Sequence, residues 1–298
     1  MFPLRDFKLK PDDFKAVGKG LRRPECIVAE HDGTLWIAEA PGGAVRIDPD
    51  GTQTKVGNIG GIPNGLAMDR SGDLYIANVG DGRVYKLHRD GRHDILLSEV
   101  EGQPIREAAN FVLLDSEGRL WITVSTRKVP RSEALSNPTP DGYIIMRNHE
   151  GERVVADGLF FANEARLDAD EKYLYVAETT GGGVSRFLLT DDGWLGPREP
   201  YGPAPIFPGA LIDGITFDVD GNLWITEIRN NGIHVLFPNG EVSTVFEDPE
   251  GETLPHPTSI TFGGNDLKTA YVGSLKTTCI HSFSSPVPGL PLLHWKVE

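Results

Sequence analysis

Cysteine is nearly absent from this chain: Cys26 and Cys279 are the only two in 298 residues. Two thiols cannot build the disulfide framework on which small secreted folds depend. They either pair across a fold that brings both ends together or stay free in a reducing compartment. Long apolar runs are missing as well. None approaches the roughly 18 residues that a membrane-spanning helix requires. The opening MFPLRDFKLKPDDFK lacks the apolar stretch of a secretory signal. A cytoplasmic protein with no membrane partner is the expectation. A surplus of positive charge is also lacking. Lys and Arg number 29 against 43 Asp and Glu, a formal net charge of -14. That excludes a nucleic-acid partner, whose phosphates need a basic footprint. Helical periodicity is scarce throughout.

What the chain does have is a repeat. A turn, often Asp-Gly, precedes an aromatic strand six times: HDGTLWIAE from His31, RSGDLYIAN from Arg70, SEGRLWITV from Ser116, DEKYLYVAE from Asp170, VDGNLWITE from Val219 and NDLKTAYVG from Asn265. A polar residue stands at a near-constant distance upstream. Glu25, Asn64, Asn110 and Asp213 precede their aromatic by 11 residues, and Asn163 and Ser259 by 12. The steps between these six positions are 39, 46, 53, 50 and 46 residues. Periods of about 40–50 with strand content are the mark of propeller blades. Asp-Gly and Asn-Gly between apolar runs are hairpin signals. The reading is an all-β, six-bladed β-propeller with four antiparallel strands per blade, a single domain over residues 1–298. The sixth repeat offers only three clear strands. The start of the chain, around DFKAVG, would supply the fourth and close the ring.

Two segments break the rhythm: residues 126–142, between the second and third strands of blade three, and residues 197–212, read as a proline-rich link between blades four and five. In an up-and-down blade these connections share a face with the repeat-start residues. Long irregular connections in compact folds often serve as lids.

The first strand of each blade lines the central channel, so the six repeat-start side chains converge at its mouth. They are Glu25, Asn64, Asn110, Asn163, Asp213 and Ser259, oxygen donors all. Hard cations such as Ca²⁺ take carboxylate and amide oxygens; the absence of Cys and His from the set argues against a structural zinc site. Asn and Asp also sit at strand entrances for local backbone bonding. A carboxylate facing a crowded axis, however, is costly unless paired or metal-bound.

The sequence resembles the senescence-marker protein/gluconolactonase/regucalcin-like family of six-bladed propellers over nearly its whole length. The resemblance is carried by PECIVAEHDGTLWIAE around Glu25, LFFANEARLDADEKYLYVAET around Asn163, IDGITFDVDGNLWITE around Asp213, and HPTSITFGGNDLKTAYVG. It implies one divalent metal held by Glu25, Asn163 and Asp213, with Ca²⁺ favoured and Mn²⁺, Mg²⁺, Fe²⁺ or Zn²⁺ as alternatives. It implies hydrolysis of a small-molecule lactone, with Asp213 as catalytic base and Asn110 and Asn64 on the substrate side. Glu164 and His256 are alternative proton carriers. Arg127, Lys128 and Arg131 are candidates to meet an anionic substrate or product.

Three departures from the family pattern stand out. Ala108 replaces an Arg that helps hold sugar hydroxyls, Phe111 replaces an acid, and Glu164 replaces a Gly. They lead to the expectation of a more apolar pocket around Asn110 and a less hydroxylated lactone. The same propeller also serves ester or phosphotriester hydrolysis, isomerisation, strictosidine-synthase-like condensation or non-catalytic metabolite binding, and these stand as alternatives.

Overall fold

The computed structural model describes residues 4–40 and 42–296; Met1–Pro3, Pro41, Val297 and Glu298 lie outside it. Six four-stranded antiparallel sheets surround a central axis. Blade one runs Ile27–Ala29, Leu35–Glu39, Gly43–Ile47 and Gln53–Val56, from the axis outward. Blades two to five repeat the order from Pro63, Ala109, Ala162 and Ile212. Blade six takes Pro257–Gly263, Thr269–Ser274 and Ile280–Ser284 from the end of the chain. Its outer strand is Lys15–Val17, paired antiparallel with Ile280–Ser282. The closure expected from the sequence is therefore present: the two ends of the chain are joined in one blade. Phe14 secures it, with its ring 4.7 Å from Phe246 and 5.6 Å from Phe283.

In the three tryptophan repeats the indole is held by an acid six residues upstream, a pairing the sequence reading passed over. Trp36 Nε1 donates to Glu30 at 2.6 Å, Trp121 Nε1 to Asp115 at 2.8 Å and Trp224 Nε1 to Asp218 at 3.0 Å. The other oxygen of Asp218 caps the turn, accepting from the backbone N–H of Asp220 and Asn222. One carboxylate thus fixes both the hairpin and the indole that fills the space between blades.

The tail crosses the face where these turns lie. Leu290 N–H donates to Phe217 O, and Trp295 Nε1 donates to Ala29 O, both at 2.8 Å. Both cysteines are free, Cys26 buried and Cys279 partly exposed. Among the described residues no helix is long and apolar enough to cross a membrane. One expectation needs correcting. Residues 197–212 are not all linker, because Glu199–Tyr201 is the outer strand of blade four, paired with Val184–Arg186. Its flanking prolines hid it from a reading that penalises proline in strands.

Candidate functional site

The six repeat-start residues are all buried and meet at one end of the channel. A break in strand register brings them there. The ladder between first and second strands shifts between Pro63 and Leu66, Ala109 and Phe111, Ala162 and Ala165, Ile212 and Ile215, and Pro257 and Ile260. Each shift brackets one ring residue: Asn64, Asn110, Asn163, Asp213 or Ser259. A bulge re-aims a side chain that regular pleating would send into the blade. Glu25 instead sits just ahead of its strand, which starts at Ile27.

The inner strands come so close here that two positions admit only glycine. A Cβ on Gly65 would lie 2.5 Å from Phe111 Cα, and one on Gly214 would lie 2.3 Å from Thr258 O. Threonines pin the bulges: Thr123 Oγ1 donates to Asn163 O and Thr258 Oγ1 to Glu25 O, each at 2.7 Å.

Hydrogen bonding divides the ring in two. Asn64 is fully engaged. Its Oδ1 accepts from Arg23 at 2.8 Å, and its Nδ2 donates to Glu25 Oε1 at 2.8 Å and to Asn110 Oδ1 at 3.2 Å. Asn110 Nδ2 donates to Ser125 Oγ at 2.8 Å. On the other side, the Asn163 amide is held between Thr179, whose Oγ1 accepts from its Nδ2 at 3.0 Å, and Asp213, to whose carboxylate it also donates. Glu25 Oε2 is buried with no hydrogen-bond partner among the described residues, and so is Ser259 Oγ.

Burial pushes the Glu25 carboxyl up to about 7, partly offset by Arg23, and Asp213 adds to the rise. Asp213 is pushed up to about 6 by burial, with Arg131, Arg23 and a hydrogen bond from Asn163 opposing. One buried acid with an unpartnered oxygen, a second beside it and the amide of Asn163 are oxygen-bearing groups of the kind a hard divalent cation takes. Among the described residues no three His, Cys, Asp or Glu gather anywhere as a metal cluster. The amide is therefore essential to the fit.

The sequence matches the SMP-30/Gluconolactonase/LRE-like region over residues 24–276. The chain belongs to this family. It is 28% identical over 193 residues to a 6-deoxy-6-sulfogluconolactonase of Pseudomonas putida, covering 64% of this chain and 62% of that protein. It is also 28% identical over 238 residues to the strictosidine synthase-like protein 10 of Arabidopsis thaliana, covering 65% and 62%. The matches thus span about three fifths of these relatives' length. In fold, it is similar to a putative gluconolactonase with a TM-score of 0.76 at 18% identity, covering 94% of both chains. A regucalcin of Agrobacterium tumefaciens superposes with a TM-score of 0.73 at 16% identity, covering 95% and 98%.

Within this SMP-30/gluconolactonase propeller, the other residues singled out from the sequence lie as follows. Glu164 is buried in the channel beside Gly214, ion-paired with Arg166 and accepting from Ile215 N–H. Burial raises its carboxyl, with Arg166 opposing. Phe111 lies under the Arg166 guanidinium, 4.7 Å from its ring centroid. Among the described residues neither Arg127 nor the His256 imidazole hydrogen-bonds a ring residue. Arg127 is held by two 2.8 Å hydrogen bonds to Asp157 and by stacking on Tyr143. His256 is placed by its backbone N–H, which donates to Asn231 at 2.7 Å.

The apolar pocket expected around Asn110 is not built. Ala108 and Ala109 pack into the blade core with Ile105, Val112 and Ile122. Around Asn110 stand Asn64, Ser125 and, through Ser125, Arg131, whose Nε donates to Ser125 Oγ at 3.3 Å. Arg23, two residues before Glu25, was missed altogether. Its only sequence signal was that adjacency.

The raised carboxyls carry a pH dependence. A carboxyl raised on folding contributes stability that is complete below its unfolded value, about 4, and lost as pH climbs through its folded value. Glu25 and Asp213 place that loss around pH 6–7. Chelator-treated protein is expected to melt several degrees lower at pH 8 than at pH 5.5. Added Ca²⁺ should restore most at pH 8, where both acids are ionised. Calorimetric melts across pH 5–8 with and without cation test this. A melting temperature that rises with pH in chelator would contradict it.

Proposed function

We propose that the chain is a metal-dependent lactonase. Glu25, Asn163 and Asp213 would hold one divalent cation, Ca²⁺ favoured, and the substrate would be a small lactone. The observation that carries this is the division of the ring. Asn64 and Asn110 spend their Oδ1 on protein donors, whereas Glu25 Oε2 has none. The lactonase names among the family's relatives support the reaction class.

A bound divalent cation supplies Lewis-acid polarisation of the lactone carbonyl. Asp213 takes a proton from the attacking water as its oxygen bonds the carbonyl carbon. The same carboxyl returns the proton to the ring oxygen as the ring C–O bond breaks, giving the hydroxy acid. Asn110 keeps an amide N–H beyond the one given to Ser125, and with it can orient the substrate.

Metal analysis of the purified protein, then a panel of lactones, esters and phosphotriesters with and without chelator, tests the assignment. Lactone opening that chelator abolishes and Ca²⁺ restores is the expected result. Turnover of phosphotriesters alone would assign the same site to the chemistry named for the diisopropyl-fluorophosphatase of Loligo vulgaris, 27% identical over 194 residues.

A further inference from the structure

Arg131 projects from the 126–142 loop to the mouth of the ring, and its surroundings are unlike those of the other arginines nearby. Arg127 is paired with Asp157, Arg166 with Glu164 and Arg198 with Glu178. Arg131 has no ion pair among the described residues. One face of its guanidinium rests on the Phe161 ring, 4.8 Å from the centroid, and its Nε is tied to Ser125. The plane is therefore fixed, and the two terminal amino groups form a fork without a protein acceptor among the described residues. A planar fork of this kind matches a carboxylate in bidentate fashion.

Arg23 faces the same space from the other side, anchored by Asn64 Oδ1 at 2.8 Å and Pro63 O at 3.3 Å. The two cations repel each other, and both feel Glu25 and Asp213 without closing onto them. Were Arg131 there only to balance those carboxylates, a direct ion pair would be the cheapest arrangement. Instead Arg131 is held by Phe161 and Ser125, without an ion pair to Glu25 or Asp213 among the described residues. Under the lactonase reading a divalent cation satisfies both carboxylates, so the two guanidiniums then face a position that only an anion completes.

We infer that Arg131, backed by Arg23, is the recognition group for an anionic substituent of the substrate: the lactone carries a carboxylate. The inference rests on the lactonase reading and narrows its substrate class.

The test compares a γ-butyrolactone bearing a ring carboxylate with its carboxamide, using the full chain with Ca²⁺. The wild type should favour the carboxylate in kcat/KM by about 10–100-fold, the range of one or two charge-assisted hydrogen bonds. Arg131→Gln should collapse that ratio toward one, mainly through KM, and Arg131→Lys should recover part of it. A thermal melt checks that each variant is folded, and Arg23→Gln should lower the ratio less. No preference in the wild type, or a ratio unchanged in both Arg131 variants, would overturn the inference while the lactonase reading stands. If neither lactone opens, the lactonase reading itself fails. Calorimetric binding of tetrahydrofuran-2-carboxylate then decides the recognition claim. Binding lost in Arg131→Gln upholds it, and equal or absent binding in both proteins overturns it.

Discussion

Asp213→Ala is expected to lower kcat/KM on the protein's lactone by about 10³-fold or more, and to abolish cation binding measurable by calorimetry. Asp213 is asked to do two things, hold a cation and move a proton, and alanine removes both. Asp213→Asn separates them. The amide keeps an oxygen for the cation but has no basicity. Cation affinity should fall by roughly 10–100-fold while turnover falls as far as in the alanine variant. Equal losses of affinity and turnover in the asparagine variant would reduce Asp213 to a ligand. Full turnover in the alanine variant would remove the site from the chemistry. Neither change should unfold the protein. The side chain is buried, but Asn163 is its one hydrogen-bond partner among the described residues, and its charge is carried there against desolvation.

The propeller was legible because its signal is local and repeated. Six turn-aromatic phrases at a fixed register need no long-range information, and closure followed from counting strands in the last repeat. The ring was legible in membership but not in aim. Nothing in a period-2 pattern shows that the ladder slips at Asn64, Asn110, Asn163, Asp213 and Ser259, yet the slip is what turns these side chains to the axis. The loop was the least legible part. Arg127 and Arg131 stand four residues apart in one basic stretch, and sequence offered no ground for choosing between them. The choice depends on Asp157, which captures Arg127, and on Phe161, which supports Arg131. These partners lie 30 residues downstream of each, in the outer strand of blade three and the link beyond it. The apolar pocket failed for a related reason. Ala108 and Ala109 belong to the blade core, and only Asn110, at the bulge, turns toward the channel.

The repeated aromatic makes a separate prediction, about stability. Trp224→Ala is expected to cost about 3–5 kcal/mol in urea unfolding, the range for emptying a fully buried large site. Trp224 has no exposed surface and packs edge-on against Phe262 at 5.7 Å and Phe7 at 6.3 Å, so truncation opens a void between blades five and six. It also orphans part of Asp218, although that carboxylate keeps three donors from Asp220 and Asn222. Trp224→Phe removes the indole N–H and keeps most of the volume. It should cost about 1.5–3 kcal/mol, the value of one hydrogen bond to a charged group. A phenylalanine variant as damaged as the alanine one would mean that the hydrogen bond to Asp218, and not packing, holds the tryptophan's share of the stability. Cation affinity should survive both changes in the folded protein, because Trp224 and Asp213 lie at opposite ends of the blade-five hairpin. Between them the ladder is interrupted at Ile212–Ile215, and Thr226 Oγ1 accepts from Gly214 N–H at 2.8 Å, holding the bulge independently of the tryptophan. If Trp224→Ala also abolished cation binding at temperatures where the protein stays folded, the bulge would not be autonomous. The spacing of 11 residues between ring acid and aromatic would then be a mechanical coupling between core and site, and not only a register.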